Sequence, residues 1–138
     1  MRLFDIFKKK PEPPNLFAYR EEDRKYTASL GGIEFTAQIP VTPEMTKYAQ
    51  QLAAVYQTSL PGIAEYMLNE EAFDYNRGIF PDLSQDTLIA SLNKPTIQLL
   101  SDHDGVCTYY NHTLDDIHII TFEFSSLFDD LCYFSIDG

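Results

Sequence analysis

The clearest pattern in the chain is a change of period. Over residues 26–39 apolar and polar side chains alternate: Tyr26, Ala28, Leu30, then Ile33, Phe35, Ala37 and Ile39. Period two is the mark of a strand with one wet face. Gly31-Gly32 divides the run. A two-residue loop of type I′ needs positive φ twice, and two glycines supply it. The spacing sets a register: Leu30 opposite Ile33, Ala28 opposite Phe35, Tyr26 opposite Ala37. All three pairs fall on one face, as a hairpin with a buried side requires. Leu30, Ile33 and Phe35 are expected to pack against Tyr48, Leu52 or Val55.

After Pro40 the period lengthens. Thr42 is placed to cap a helix, Pro43 suits its first position, and Glu44 complements the positive end of the dipole. Met45, Tyr48, Ala49, Leu52, Val55 and Tyr56 recur at spacings of three and four. That predicts about four turns of amphipathic helix. Ser59-Leu60-Pro61-Gly62 predicts an interruption. Ile63, Tyr66, Met67 and Phe73 predict a second helix or a kinked continuation, with Glu65, Glu70, Glu71 and Asp74 on its other face. Gly78 to Pro81 reads as loop. Ser84 caps a short third helix with Leu88, Ile89 and Leu92.

From Pro95 onward the pattern returns to strands: 96–100, 106–110, 117–124 and 131–136. Asp102-His103-Asp104-Gly105, Asn111 to Asp116 and Ser125 to Asp130 separate them. Short connections make consecutive strands antiparallel neighbours. The fold class expected is α+β: an N-terminal hairpin, two to three helices, then a four-strand antiparallel meander. The architecture expected is a two-layer sandwich with the helices on one sheet face. Pro11-Glu12-Pro13-Pro14 separates a segment at 1–14 from a single domain at 15–138.

Composition narrows the function classes. The chain is 44% hydrophobic and 22% charged, a globular balance rather than a disordered one. No apolar run reaches the ~18–20 residues of a membrane span. The net charge is −11, which opposes sequence-independent binding to nucleic acid. The charge is unevenly placed: residues 95–138 hold eight carboxylates and no Lys or Arg. The apolar residues Leu3, Phe4, Ile6 and Phe7 precede Lys8-Lys9-Lys10, the reverse of a signal peptide. With two cysteines, Cys107 and Cys132, the expectation is a cytoplasmic protein with free thiols.

Candidate chemistry is sparse. Asp102-His103-Asp104-Gly105 lacks the ligands of a calcium loop: Leu100 stands where a ligand should precede, and Asn111 where a glutamate should follow. His103, Cys107, His112 and His118 match no zinc spacing. There is no Gly-x-Ser-x-Gly elbow and no glycine-rich phosphate loop. Neither a metal nor a cofactor is expected. Along a strand, His118 would share a face with Ile120, Phe122 and Phe124, and Cys132 with Phe134 and Ile136, both as packing.

One constellation stands out. The first and third loops of a meander lie at the same end of the sheet. Asp102, Asp104, Asp129 and Asp130 are therefore expected on one rim, suited to steering and docking a basic protein partner. Ile117 and Ile119 point away from His118 and Ile120, so the second face of that strand is apolar. It is a candidate surface for a partner or a second copy of the chain.

The stretch Leu114-Asp-Asp-Ile-His-Ile-Ile-Thr-Phe-Glu-Phe124, with Leu131-Cys-Tyr-Phe-Ser-Ile-Asp-Gly138, resembles the C-terminal half of small acidic bacterial domains of unknown function. Several such families are predicted immunity proteins of polymorphic toxin systems. The shared features are an aspartate-rich loop, His-x-Ile opening a strand, and a last strand ending near glycine. The resemblance implies non-catalytic binding of a toxin. The expected function is thus a non-catalytic protein-binding domain. One alternative is a small enzyme built around His118 with Tyr109 and Asp116. Another is a membrane-peripheral adaptor using the N-terminal basic-apolar segment.

Overall fold

The computed structural model describes residues 16–70, 80 and 83–138. The expectations for the N-terminal segment, for Phe73 and Asp74 on a helix, and for the loop from Gly78 lie outside them. The described elements are β1 (Ala18–Arg20), β2 (Lys25–Leu30), β3 (Ile33–Ala37), α1 (Pro43–Asn69), α2 (Gln85–Leu92), β4 (Thr96–Leu99), β5 (Asp104–Tyr109), β6 (Ile119–Ser125) and β7 (Asp130–Asp137).

The Gly-Gly hairpin has the register that its alternation dictates. Leu30 pairs with Ile33, Ala28 with Phe35 and Tyr26 with Ala37. Gly31 and Gly32 take φ of 59° and 82°, the left-handed values that a type I′ loop requires. Ile33 and Phe35 are buried, Leu30 is half-buried, and Glu34 and Gln38 face out.

The expected architecture needs correction. The hairpin and the C-terminal strands are not separate units. They form one seven-stranded mixed sheet in the order β1-β2-β3-β4-β5-β6-β7, with two described helices. The joint is a parallel pairing of β3 with β4: Glu34 with Thr96, Phe35 with Ile97, Thr36 with Gln98. All other neighbours are antiparallel. A parallel return cannot be made by a turn and needs a crossover, and the helical segment supplies it. Short connections indicated the antiparallel pairs, but they carried no information about a pair made across the helices. The three-residue β1 also escaped the periodicity argument, because three residues show no period. It is tied to its turn by Arg20, whose guanidinium holds the Asp23 carboxylate at 2.6 Å.

The helix expected to break at Pro61 runs through it. Leu60, Ile63, Ala64 and Met67 stay in phase with Met45, Tyr48, Ala49, Leu52 and Tyr56, and all nine are buried. A proline inside a helix costs ~3 kcal/mol. Burying a side chain such as Leu60 or Ile63 returns roughly 1.5–3 kcal/mol each, so the continuous stripe prevails. Thr42 Oγ1 accepts from the Met45 amide at 3.1 Å, the cap that its position implied. Ser84 caps α2 in the same way, through the Thr87 amide.

One sheet face meets the helices. Phe35, Ala37, Ile97, Leu99, Cys107, Tyr109, Ile120, Phe122 and Phe124 are buried on it. Gly105 belongs to this layer for a steric reason. A Cβ there would lie 2.7 Å from Gln98 O and 2.8 Å from Phe124 Cζ. The other face carries Thr27, Ser29, Glu34, Thr96, Gln98, Thr108, Thr121 and Glu123.

β7 departs from strict alternation. Thr121 pairs with Ser135 but Glu123 with Cys132, so one extra residue sits on β7. Tyr133 takes it up at φ 54° and is 75% exposed. Such a bulge bends an edge strand away from further pairing. It also corrects the placement of Cys132: the extra residue turns its side chain to the exposed face, away from Phe134 and Ile136.

Gly105→Ala should cost more stability than Gly32→Ala, about 2–3 kcal/mol against about 1 kcal/mol in urea unfolding. Gly105 meets backbone and an aromatic ring, whereas a Cβ on Gly32 meets only the flexible Lys94 stem. Equal losses would contradict the packing described.

Candidate functional site

The β4–β5 and β6–β7 turns lie side by side. Asp104 pairs with Ser125, and Ser125 with Asp130. The Ser126 amide donates to His103 O at 2.8 Å, joining one turn to the other. Tyr48 on α1 donates its hydroxyl to Ser126 O at 2.6 Å and fixes the pair against the helix. The four aspartates named from the sequence are thus brought to one end of the sheet. Asp102, Asp129 and Asp130 are exposed and Asp104 is half-buried.

Local hydrogen bonds order this rim. Ser101 Oγ donates to Asp104 Oδ1 at 2.5 Å and accepts from the His103 amide at 3.1 Å. Asp129 Oδ2 accepts from the Leu127 amide at 3.3 Å, and Ser125 Oγ donates to Asp130 Oδ2 at 3.3 Å. Ser126 and Phe128 take φ of 54° and 65° in the second turn. Burial first, then the carboxylates of Asp104, Asp129 and Asp102, push the Tyr48 phenol well above its ordinary range. One hydroxyl thus senses three of the four carboxylates.

His103 is a feature of the rim that the count of Lys and Arg missed. Its Nδ1 lies 3.0 Å from Asp102 Oδ1. That hydrogen bond, with the charges of Asp104 and Asp102, raises the imidazole above its ordinary value. The rim therefore gains a positive charge as the pH falls through that raised value.

Ile117 and Ile119 are not brought to the rim. Ile119 pairs with Asp137 at the opposite end of β6, six residues or roughly 20 Å from Ser125. Ile117, 67% exposed, precedes the strand, and the open face beyond Ile119 continues with Thr121 and Glu123. The face is mostly polar, with an apolar corner.

Among the described residues no hydrogen bond joins Tyr109, Asp116 and His118, the residues of the enzymatic alternative. Tyr109 is buried on the helix side, where its hydroxyl meets that of Tyr56 at 2.5 Å. Asp116 is exposed. His118 precedes β6 and engages Asp115 instead, Nδ1 to Oδ2 at 2.5 Å. The other oxygen of Asp115 accepts from the Ile117 and His118 amides at 3.1 and 2.9 Å. Burial raises the Asp115 carboxyl, but these hydrogen bonds together outweigh it and hold it below the ordinary carboxylate value. His112 closes the same loop: its Nδ1 accepts from the Leu114 amide, so Nε2 carries the proton and donates to His118 O at 2.6 Å. Both histidines act as struts of the loop that carries Ile117. Among the described residues no three His, Cys, Asp or Glu side chains converge on a metal site.

No protein-family model, curated protein or solved structure matches this chain. The immunity-protein resemblance therefore remains an expectation of the sequence.

Asp115→Asn should lower stability at neutral pH. A carboxyl depressed in the folded state stabilises above its unfolded value, and that contribution is lost as the pH falls through the folded one. The two stability curves should therefore converge at acid pH. A constant gap across the range would contradict the assignment. The two thiols should also differ. Cys132 is exposed, whereas burial pushes the Cys107 thiol far up. One thiol per chain should react with Ellman's reagent in the native state and two after unfolding. Two fast native thiols would contradict the placement of Cys107.

Proposed function

We propose that this is a non-catalytic protein-binding domain that docks a basic partner through the acidic rim, in the manner of an immunity-type inhibitor. The observation that supports it most is the side-by-side packing of the two aspartate-bearing turns, Ser126 N to His103 O at 2.8 Å. Four carboxylates share that end, and the segment that builds it has no Lys or Arg. The turns are braced by Tyr48 from the helix layer, so the charges are held rather than trailing. Held charges of one sign raise the encounter rate with a surface of the opposite sign. In the reading as a cytoplasmic binding protein, the partner is a basic protein rather than a nucleic acid or a membrane. Among the described residues no helix is long and apolar enough to cross a membrane. A second copy docked rim to rim would set like charges against each other.

The test takes the full chain as bait and measures association with the basic partner it recovers. Asp102→Lys with Asp129→Lys should slow association at low salt with little change in dissociation, because rim charges steer more than they hold. The difference should fade as the Debye length falls from ~10 Å at 0.1 M to ~3 Å at 1 M salt. Association should also slow as the pH is lowered through the raised value of His103. Unchanged association at low salt would overturn the proposal and leave the corner at Ile117 and Ile119 as the remaining surface.

A further inference from the structure

A cleft of about 360 Å³ opens between α1 and α2, far in character from the acidic rim. Leu60, Ile89 and Ala90 make it apolar, and Tyr56, Gln57, Asn93 and Lys94 complete its lining. The described residues that line this cleft include none of the chain's 21 carboxylate side chains. The polar groups among them are the amides of Gln57 and Asn93 and the ammonium of Lys94.

Lys94 is exposed, so its ammonium is open to a ligand arriving from solvent. Lys94 Nζ stands 5.7 Å from the centroid of the Tyr56 ring, within cation–π range. Its stem runs over the hairpin loop: a Cβ on Gly32 would lie 3.6 Å from both Cγ and Cε of Lys94. Among the described residues no carboxylate forms an ion pair with it. Tyr56 itself is locked, because its hydroxyl meets Tyr109 in the core.

The neighbouring backbone is strained at the same point. Asn93 takes φ 60° and ψ −158°, a region that glycine ordinarily occupies. Its side-chain amide donates to Asn111 O at 2.6 Å and holds that conformation. A conformation of this kind is strained and tends to occur where a group must be aimed. Here it sets the residue that leads into Lys94.

We infer that this cleft binds a small organic carboxylate, a single ring or a short acyl chain, with its carboxylate on Lys94 and its apolar body against Leu60 and Ile89. The volume lies at the small end of ligand sites, ~300–1,000 Å³. The chemistry is the mixture such sites use, an apolar wall with one charged group to fix orientation. The inference does not depend on the acidic rim, which lies at the turns between other strands.

The test uses the full chain and two probes of one shape, benzoate and benzyl alcohol, followed by amide shifts in two-dimensional NMR. Benzoate should shift the Ile89, Asn93 and Lys94 amides saturably and bind about tenfold more tightly than the alcohol, the increment of one charged hydrogen bond. Lys94→Met keeps the stem and should erase that ratio. Ala90→Trp should fill the cleft and block both probes. Equal affinity for acid and alcohol would overturn the carboxylate assignment, and the unaltered chain decides this even if a variant fails to fold. Shifts centred elsewhere, or none at about 10 mM benzoate, would overturn the site, since a ligand of this size should saturate near that concentration.

Discussion

Phe35 and Ile97 lie side by side in parallel strands, and nearly everything else follows from that pairing. Two strands running the same way cannot be joined by a turn. The chain between them must leave the sheet, cross one face and return. α1 and α2 are that crossing, and the apolar stripe of α1 makes it favourable by burying the face it crosses. The hairpin before the crossing and the strands after it thereby become one sheet. The face away from the helices keeps its threonines, serines and glutamates.

Much of this was legible because it was local. The Gly-Gly hairpin followed from period two and two positive φ values. The helix caps at Thr42 and Ser84 followed from residue type and place. Non-local and competing terms were not legible. Pro61 reads as a breaker on propensity alone, but the in-phase burial of Leu60 and Ile63 outweighs it. Cys132 reads as inward until Tyr133 inserts an extra residue and reverses it. No residue pattern announced the pairing of β3 with β4, because parallel pairing is decided by how far the intervening chain must travel.

The same division applies to the candidate sites. Antiparallel neighbours with short turns place Asp102, Asp104, Asp129 and Asp130 at one end. That inference needed only strand order. His103 within the rim, and the clamp of Asp115 on His118, depend on side-chain geometry that spacing does not contain. The cleft at Lys94 is less legible still. It is lined from α1, α2 and the residues just before β4, and Lys94 lies beside Gly32 of the hairpin and the Tyr56 ring of the helix. One end of the sheet is acidic, whereas the described residues lining the groove between the helices include no carboxylate, so the two surfaces differ in charge.

Native-state hydrogen exchange tests the central pairing most directly. Strands that share a sheet core should lose their protection together, in the opening that also exposes the helix-covered face. The protected amides of β3 and β4 around Phe35 and Ile97 should exchange with one free energy, equal to that of global unfolding, and with the same denaturant dependence. If the hairpin amides exchange through a separate, lower-energy opening while β4 to β6 remain protected, the hairpin is an independent unit. The single seven-stranded sheet would then be contradicted.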